Sequence, residues 1–238
     1  VRLFGGDRLK RILLNGGYDP LEPVDSNIFA KAIHKAQLSV ESNHFSARKN
    51  VLDYDKVNDK QRELIYAERR KMLNGEDAED DFIACMKKCV QSIIDVNTHK
   101  KKIDYDDVAD SFNEITGCSI KAEDITGKDK TYLYDALYEA AKIPYNERCA
   151  NQERKAELMR SSILSAIDIA WMEQLKALDF LRTDIWYLGY AQIDPKSAYA
   201  IEAFNLYETM KTNIYRIAVN IFMHLPGEED EQIRKDGI

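Results

Sequence analysis

The sequence predicts an all-α protein. Glycine and proline are sparse, neither appears between Pro23 and Gly75, and only Pro144 interrupts the stretch from Gly127 to Gly189. The tracts between these breakers are rich in Ala, Leu, Glu, Lys, Gln and Arg, the residues that lose least on entering a helix. Apolar residues recur at steps of three and four, and no run of alternating β-branched residues competes with them. The expected architecture is one very long helix with a packed helical hairpin and a small helical subdomain inserted between the two.

The long helix comes first. The Asp25 carboxylate can accept from free N–H groups of a first turn, and Asn74-Gly75 is a stop. Between them the inward positions run from Phe29 through Ile33, Ala36, Val40, His44, Ala47, Val51, Tyr54, Val57, Gln61, Ile65 and Glu68 to Met72. That is a heptad-like stripe with polar interruptions at His44, Gln61 and Glu68. A helix of ~50 residues is ~75 Å long. A globule of this chain length is roughly 45 Å across. Such a helix overruns a normal domain and should act as a beam on which other parts pack.

Residues 76–150 open with a run of acids and continue with helical patterns at Phe82–Val96, Tyr105–Thr116 and Tyr132–Ile143. Lys100, Lys101 and Lys102 are followed at once by acids and read as a solvated loop. The stripe Met159, Ile163, Ile167, Trp171, Leu175, Leu178, Leu181, Ile185 marks a second long helix. Tyr199, Ala203, Leu206, Met210, Ile214, Ala218, Phe222 mark a third, from about Lys196 to His224. The short connector ending in Asp194-Pro195 makes these two an antiparallel hairpin. The tail after Pro226 is mostly acidic.

Composition narrows the function. The 238 residues carry 34 Lys+Arg against 41 Asp+Glu, a formal net charge of −7. That balance argues against a general nucleic-acid binder. No run of eighteen apolar residues spans a membrane. Val1 stands where a start methionine would, and no apolar signal core follows, so the chain reads as a piece of a longer protein. Cys85 and Cys89, four apart on one helical face, read as buried thiols rather than metal ligands, and a disulfide framework is not expected.

No self-sufficient catalytic constellation is present. Gly127-Lys128 lacks the rest of a phosphate-cradling loop, and no G-x-S-x-G occurs. A di-iron bundle needs two Glu-x-x-His motifs, and only Glu41-Ser42-Asn43-His44 is found. The unusual feature is the hairpin tip, where Trp186, Tyr187, Leu188, Tyr190 and Ile193 crowd around Gly189. Turns usually carry small polar residues. Either the tip contacts a partner, or it folds back on the long helix or on a domain outside this chain.

These residues carry a family resemblance. Asn43-His44-Phe45-Ser46-Ala47-Arg48-Lys49-Asn50-Val51-Leu52-Asp53-Tyr54-Asp55-Lys56-Val57, followed by Gln61-Arg62 and Ile65-Tyr66, resembles the long scaffold helix of SecA, the ATP-driven motor of bacterial protein export. Leu178-Asp179-Phe180-Leu181-Arg182 and Gly189-Tyr190-Ala191-Gln192-Ile193-Asp194-Pro195-Lys196 resemble its two-helix finger. Phe4-Gly5-Gly6-Asp7-Arg8-Leu9 is similar to the close of its second motor domain. The resemblance divides the chain into the end of a motor domain and connector at 1–22, scaffold helix at 23–75, helical wing at 76–150, finger helices at 151–225 and acidic tail at 226–238.

Departures are visible. The paired acids of the scaffold helix read Asp55-Lys56, and Gln174 stands where a His commonly follows the scaffold Trp by three positions. Leu188 and Ile193 replace basic finger residues, and no cysteine follows Cys149, so the C-terminal zinc tail is absent from this chain. These losses resemble an accessory SecA paralogue.

The resemblance implies a coupling and substrate-contact role. ATP and Mg would bind motor domains outside this chain, with no catalytic residue, cofactor or metal in the fragment. Arg48, Asp53, Tyr54, Asp55, Gln61 and Arg62 would couple the scaffold to those domains. Tyr190, with Tyr187, Leu188 and Ile193, would meet the SecY channel and the preprotein. An aromatic tip grips any chain by apolar contact without needing a particular sequence. The expected location is cytoplasmic, peripheral on the inner face of the plasma membrane, with an anionic lipid surface as a further partner. The competing expectation is a free-standing helical adaptor or coiled-coil protein, which the heptad stripe alone would support.

Overall fold

The computed structural model describes residues 11, 27–75, 77–100, 102–150, 154–188 and 194–225. Their architecture is helical throughout, apart from one two-stranded antiparallel ribbon. In chain order the elements are α1 (Asn27–Asn74), α2 (Ala78–Val96), β1 (Thr98–His99), β2 (Lys102–Ile103), α3 (Tyr105–Thr116), α4 (Ala122–Ile125), α5 (Lys130–Ala150), α6 (Lys155–Leu188) and α7 (Pro195–His224). The chain divides into two compact units, Val1–Lys56 and Val57–Ile238, and the division falls inside α1.

Local chemistry explains where helices begin and end. At Gly75 an added Cβ would sit 2.9 Å from the Lys71 carbonyl oxygen, so only glycine fits the close approach that ends α1. Asp104 caps α3 by accepting from the Asp107 N–H at 3.3 Å. The same helix ends at Gly117 in the left-handed region (φ 71), whose N–H returns to the Asn113 carbonyl. Asp194 accepts from the Ser197 backbone at 3.1 Å and from its hydroxyl at 2.7 Å, and Pro195 opens α7 with its φ already helical.

Three elements depart from the sequence reading. Of the lysine run, Lys102 lies in the second strand of a β-ribbon, with Thr98 opposite Ile103 and His99 opposite Lys102, and Lys100 has positive φ. The short helix α4 follows Lys121. Helix α5 runs through Pro144 to Ala150 instead of stopping at Ile143. Proline has no N–H to offer the carbonyl four residues back, at Ala140. That carbonyl instead accepts from the Cys118 thiol at 3.7 Å, which helps the helix to continue.

In the unit Val57–Ile238 one apolar core joins the wing region to the hairpin. Phe82, Met86, Val90, Ile93, Val108, Phe112, Leu133 and Leu137 lie in it with Ile163, Ile167, Ile214, Ala218 and Phe222. Phe82 packs on Phe222 with ring centres 4.5 Å apart and on Tyr145 at 6.0 Å. Polar bonds border this contact: Arg148 Nε donates to the Met223 carbonyl at 3.0 Å, and Asn220 donates to that of Glu114 at 3.2 Å. Lys88 reaches the Tyr215 hydroxyl at 3.1 Å and lies over its ring.

The long stripe is buried only in part. Tyr54, Gln61 and Ile65 are buried, whereas Ile33, Val40, His44, Ala47, Val51 and Glu68 are exposed. A periodic apolar stripe states which face of a helix is available for packing, not how much of its length is covered. Glu68 stays at the rim, where its carboxylate keeps its hydration. Leu175, expected inward on α6, is also exposed.

Candidate functional site

The seam between residues 57–74 of α1 and the α6–α7 hairpin is held by polar side chains that few apolar interfaces contain. Gln61 is the centre. Its Nε2 donates to the Ala203 carbonyl on α7 at 2.8 Å, and its Oε1 accepts from Gln174 Nε2 on α6 at 2.9 Å. Both glutamines are buried, at 6% and 3% exposure. One amide therefore ties α1 to both arms of the hairpin, and the partners relieve most of the burial cost of the two side chains.

Flanking contacts extend the seam. Tyr199 on α7, fully buried, donates its hydroxyl to Asn58 Oδ1 at 2.8 Å. Ile65 is fully buried one turn beyond Gln61. Arg69 forks onto Asp168 of α6 at 2.9 and 3.2 Å. The Asp168 hydrogen bond and charge push the Arg69 guanidinium further toward its protonated form. Tyr66 meets Trp171 edge-on at 6.3 Å. At the end of the helix Lys71 pairs with Asp81 at 3.2 Å, and Arg160 donates to the Gly75 carbonyl at 2.6 Å.

The seam is built of hydrogen bonds and an ion pair that join side chains of different helices. Burial pushes the Cys85 thiol up to about 11 and the Cys89 thiol up to about 12, so both stay protonated at neutral pH and are poor nucleophiles and poor ligands. Among the described residues no group of three His, Cys, Asp or Glu side chains is placed to hold a metal.

The residues singled out in the sequence fall in different places. Gln61 lies at the heart of the seam. Arg62 points away from it, exposed, and pairs with Asp59 at 2.9 Å. In the unit Val1–Lys56, Arg48 is exposed, Asp53 is half-buried 3.6 Å from Lys56, Tyr54 is buried and Asp55 is half-buried. Tyr187 and Leu188 end α6, but their side chains, and Tyr190 and Ile193 entirely, lie outside the described residues, as do Asp25, the 1–10 stretch and the tail from 226. Sequence reasoning missed Asn58, Arg69, Asp168 and the role of Gln174. The available signal was weak: Gln61 as a polar break in an apolar stripe, and Gln174 as an unexpected residue three after Trp171.

The arrangement of a long helix, an inserted helical subdomain and a hairpin matches a known family. The model of the SecA Wing and Scaffold domain covers residues 23–226. The chain belongs to this family. Among its relatives, the protein translocase subunit SecA of Clostridium botulinum (strain Eklund 17B / Type B) is 30% identical over 98% of this chain and 29% of its own length. The protein translocase subunit SecA of a Nitratiruptor species is 32% identical over 99% of this chain and 28% of its own length. Protein translocase subunit SecA 1 of Clostridioides difficile (strain 630) is 32% identical over 96% of this chain and 26% of its own length. This chain thus spans less than a third of each SecA relative, and it is the wing and scaffold part of the family that it represents. None of its described helices is long and apolar enough to cross a membrane.

Proposed function

We infer that this chain is the scaffold, wing and finger portion of an ATP-driven preprotein translocase, and that it couples motor domains outside the chain to a polypeptide moving through the SecY channel. The observation that carries the reading is the wing and scaffold match over residues 23–226. The physical support is the continuity of the second unit. Directed hydrogen bonds tie α1 to both arms of the hairpin, and an apolar core ties the hairpin to the wing, so a displacement imposed on residues 57–74 reaches the hairpin without loss in a soft joint.

In this reading ATP and Mg are bound and used by motor domains outside the chain. Arg48, Asp53, Tyr54, Asp55 and Arg62 lie along the scaffold helix where it meets them, while Gln61, buried against the hairpin, couples by tying that helix to α6 and α7. Tyr190, with Tyr187, Leu188 and Ile193, faces the channel and the preprotein. The protein works from the cytoplasmic side of the membrane, against the channel and an anionic lipid surface.

The test is site-specific photo-crosslinking from position 190 in the full-length protein, with channel-containing membranes and a stalled preprotein. Adducts to the channel or the preprotein are expected. Adducts confined to the same polypeptide would make the tip a packing element and remove the functional role of Tyr190. The isolated chain is expected to hydrolyse no ATP.

A further inference from the structure

We propose that Gln61, Gln174 and Tyr199 are positioning residues that fix the axial register of the scaffold helix on the finger hairpin, so that residues 57–74, α6 and α7 move as one body instead of sliding.

The flanking pairs of the seam, Arg69 with Asp168 and Lys71 with Asp81, are exposed, so water can replace a partner lost on sliding, and the buried remainder is apolar. Ile65 of α1 is fully buried and belongs to one apolar core with Tyr207 and Met210 of α7. Apolar contact is non-directional, and neighbouring turns of a helix present similar surfaces. An interface of that kind has alternative registers about 5.4 Å apart, one helical turn. On α1 the positions one turn either side of Gln61 are Val57 and Ile65. A slip of one turn brings one of them opposite Gln174 and the Ala203 carbonyl. Gln174, 3% exposed, would then keep a buried amide with no partner on α1. The same slip separates Asn58 from the Tyr199 hydroxyl, which is fully buried.

Direction adds selectivity. The bonds run as a chain: Gln174 N–H to the Gln61 carbonyl oxygen, then Gln61 N–H to the Ala203 carbonyl. Only a side chain at 174 with a donor, facing one at 61 with both an acceptor and a donor, completes it. A polar pair in an apolar seam is the device by which coiled coils choose one register, and it acts through the penalty on every other register rather than through added stability.

The proposal does not rest on the translocase reading, because it is read from geometry without nucleotide, channel or preprotein. Spin labels carried on a non-natural amino acid are placed at the exposed positions 60 and 176 of the full-length protein, and their separation is measured by pulsed dipolar spectroscopy. The wild type should give one narrow distance. The variant Gln61→Met/Gln174→Met/Tyr199→Phe removes the polar chain while keeping side-chain volume close. It should stay folded and give a broadened distribution or a second distance displaced by about 5 Å. Gln174→His keeps an N–H donor and should retain the single distance, whereas Gln174→Met alone should broaden it. A folded triple variant with the narrow wild-type distance would overturn the proposal, and so would a Gln174→His protein that behaves like Gln174→Met. Should the triple variant fail to fold, Gln174→Met decides alone, and an unchanged distance in it overturns the idea.

Discussion

Phe222→Ala should loosen the wing from the hairpin. Phe222 is 2% exposed, and its ring centre lies 4.5 Å from Phe82 and 6.1 Å from Tyr145. Removing a buried phenylalanine side chain costs about 3–5 kcal/mol, because the lost burial and the cavity add. The aromatic pairs contribute about 0.5–1.5 kcal/mol beyond area, which places this site toward the upper end. For a chain of this size each kcal/mol lowers the melting temperature by about 2–4 °C, so the shift should be roughly 6–20 °C. The assay is urea unfolding followed by far-ultraviolet circular dichroism, with Phe222→Leu and Ile143→Ala as controls. Phe222→Leu keeps most of the volume and should lose less than about 1.5 kcal/mol. Ile143, 61% exposed, should change stability by no more than about 0.5 kcal/mol when truncated. If Phe222→Ala falls within about 1 kcal/mol of wild type, near the range of its exposed control, the aromatic contact does not dock the wing and the core assignment fails.

Three further outcomes follow from particular contacts. Gly117→Ala should destabilise by about 1–2 kcal/mol, because an L side chain is strained in the left-handed region, and not by a clash, since the new Cβ would lie 3.8 Å from His224 Nε2; Gly117→Asn should recover part of the loss in the same urea titration. Cys85 and Cys89 should resist a thiol reagent at pH 7 in the native protein and react fully in denaturant, and rapid native labelling of Cys89 would contradict its burial. The start of α7 should fray in acid: hydrogen bonds from Ser197 hold the Asp194 carboxyl below its ordinary value, so its contribution is present above that ordinary value and is lost as pH falls through the lowered one. Hydrogen exchange at Ser197 and Ala198 should therefore gain protection less steeply with pH in Asp194→Ala than in the parent.

Boundaries were legible wherever one residue's chemistry decides them. Asn74-Gly75, Gly117 and Asp194-Pro195 stop or start helices by local steric and hydrogen-bonding effects, and the sequence carries those effects in full. Helix α3, at Tyr105–Thr116, is where the pattern places it. The continuation of α5 through Pro144 was not legible, because the thiol that takes up the freed carbonyl comes from Cys118, on another part of the chain. The ribbon at Thr98–Ile103 is too short for a periodic signal. The seam was half legible: Gln61 stood out as a polar break, but its partners lie 113 and 142 residues away, and no spacing rule reaches that far.

The two joints of the second unit differ in kind, and that difference decides what mutations at each should do. Between wing and hairpin the buried contact is apolar and aromatic, and the polar bonds of Arg148 and Asn220 are part-buried or exposed, where water can replace a broken partner. Loss of an apolar contact there lowers stability in proportion to volume and leaves the geometry free to relax. Between scaffold helix and hairpin the buried contact includes directed hydrogen bonds whose groups cannot be rehydrated in place. A paired replacement of Gln61 and Gln174 by methionine removes donors and acceptors together, so it need not lower stability at all. Its effect should appear in position instead. The coupling role proposed above would need both properties, a core that holds the parts together and a seam that fixes where they sit. Measuring stability alone would find the first and overlook the second.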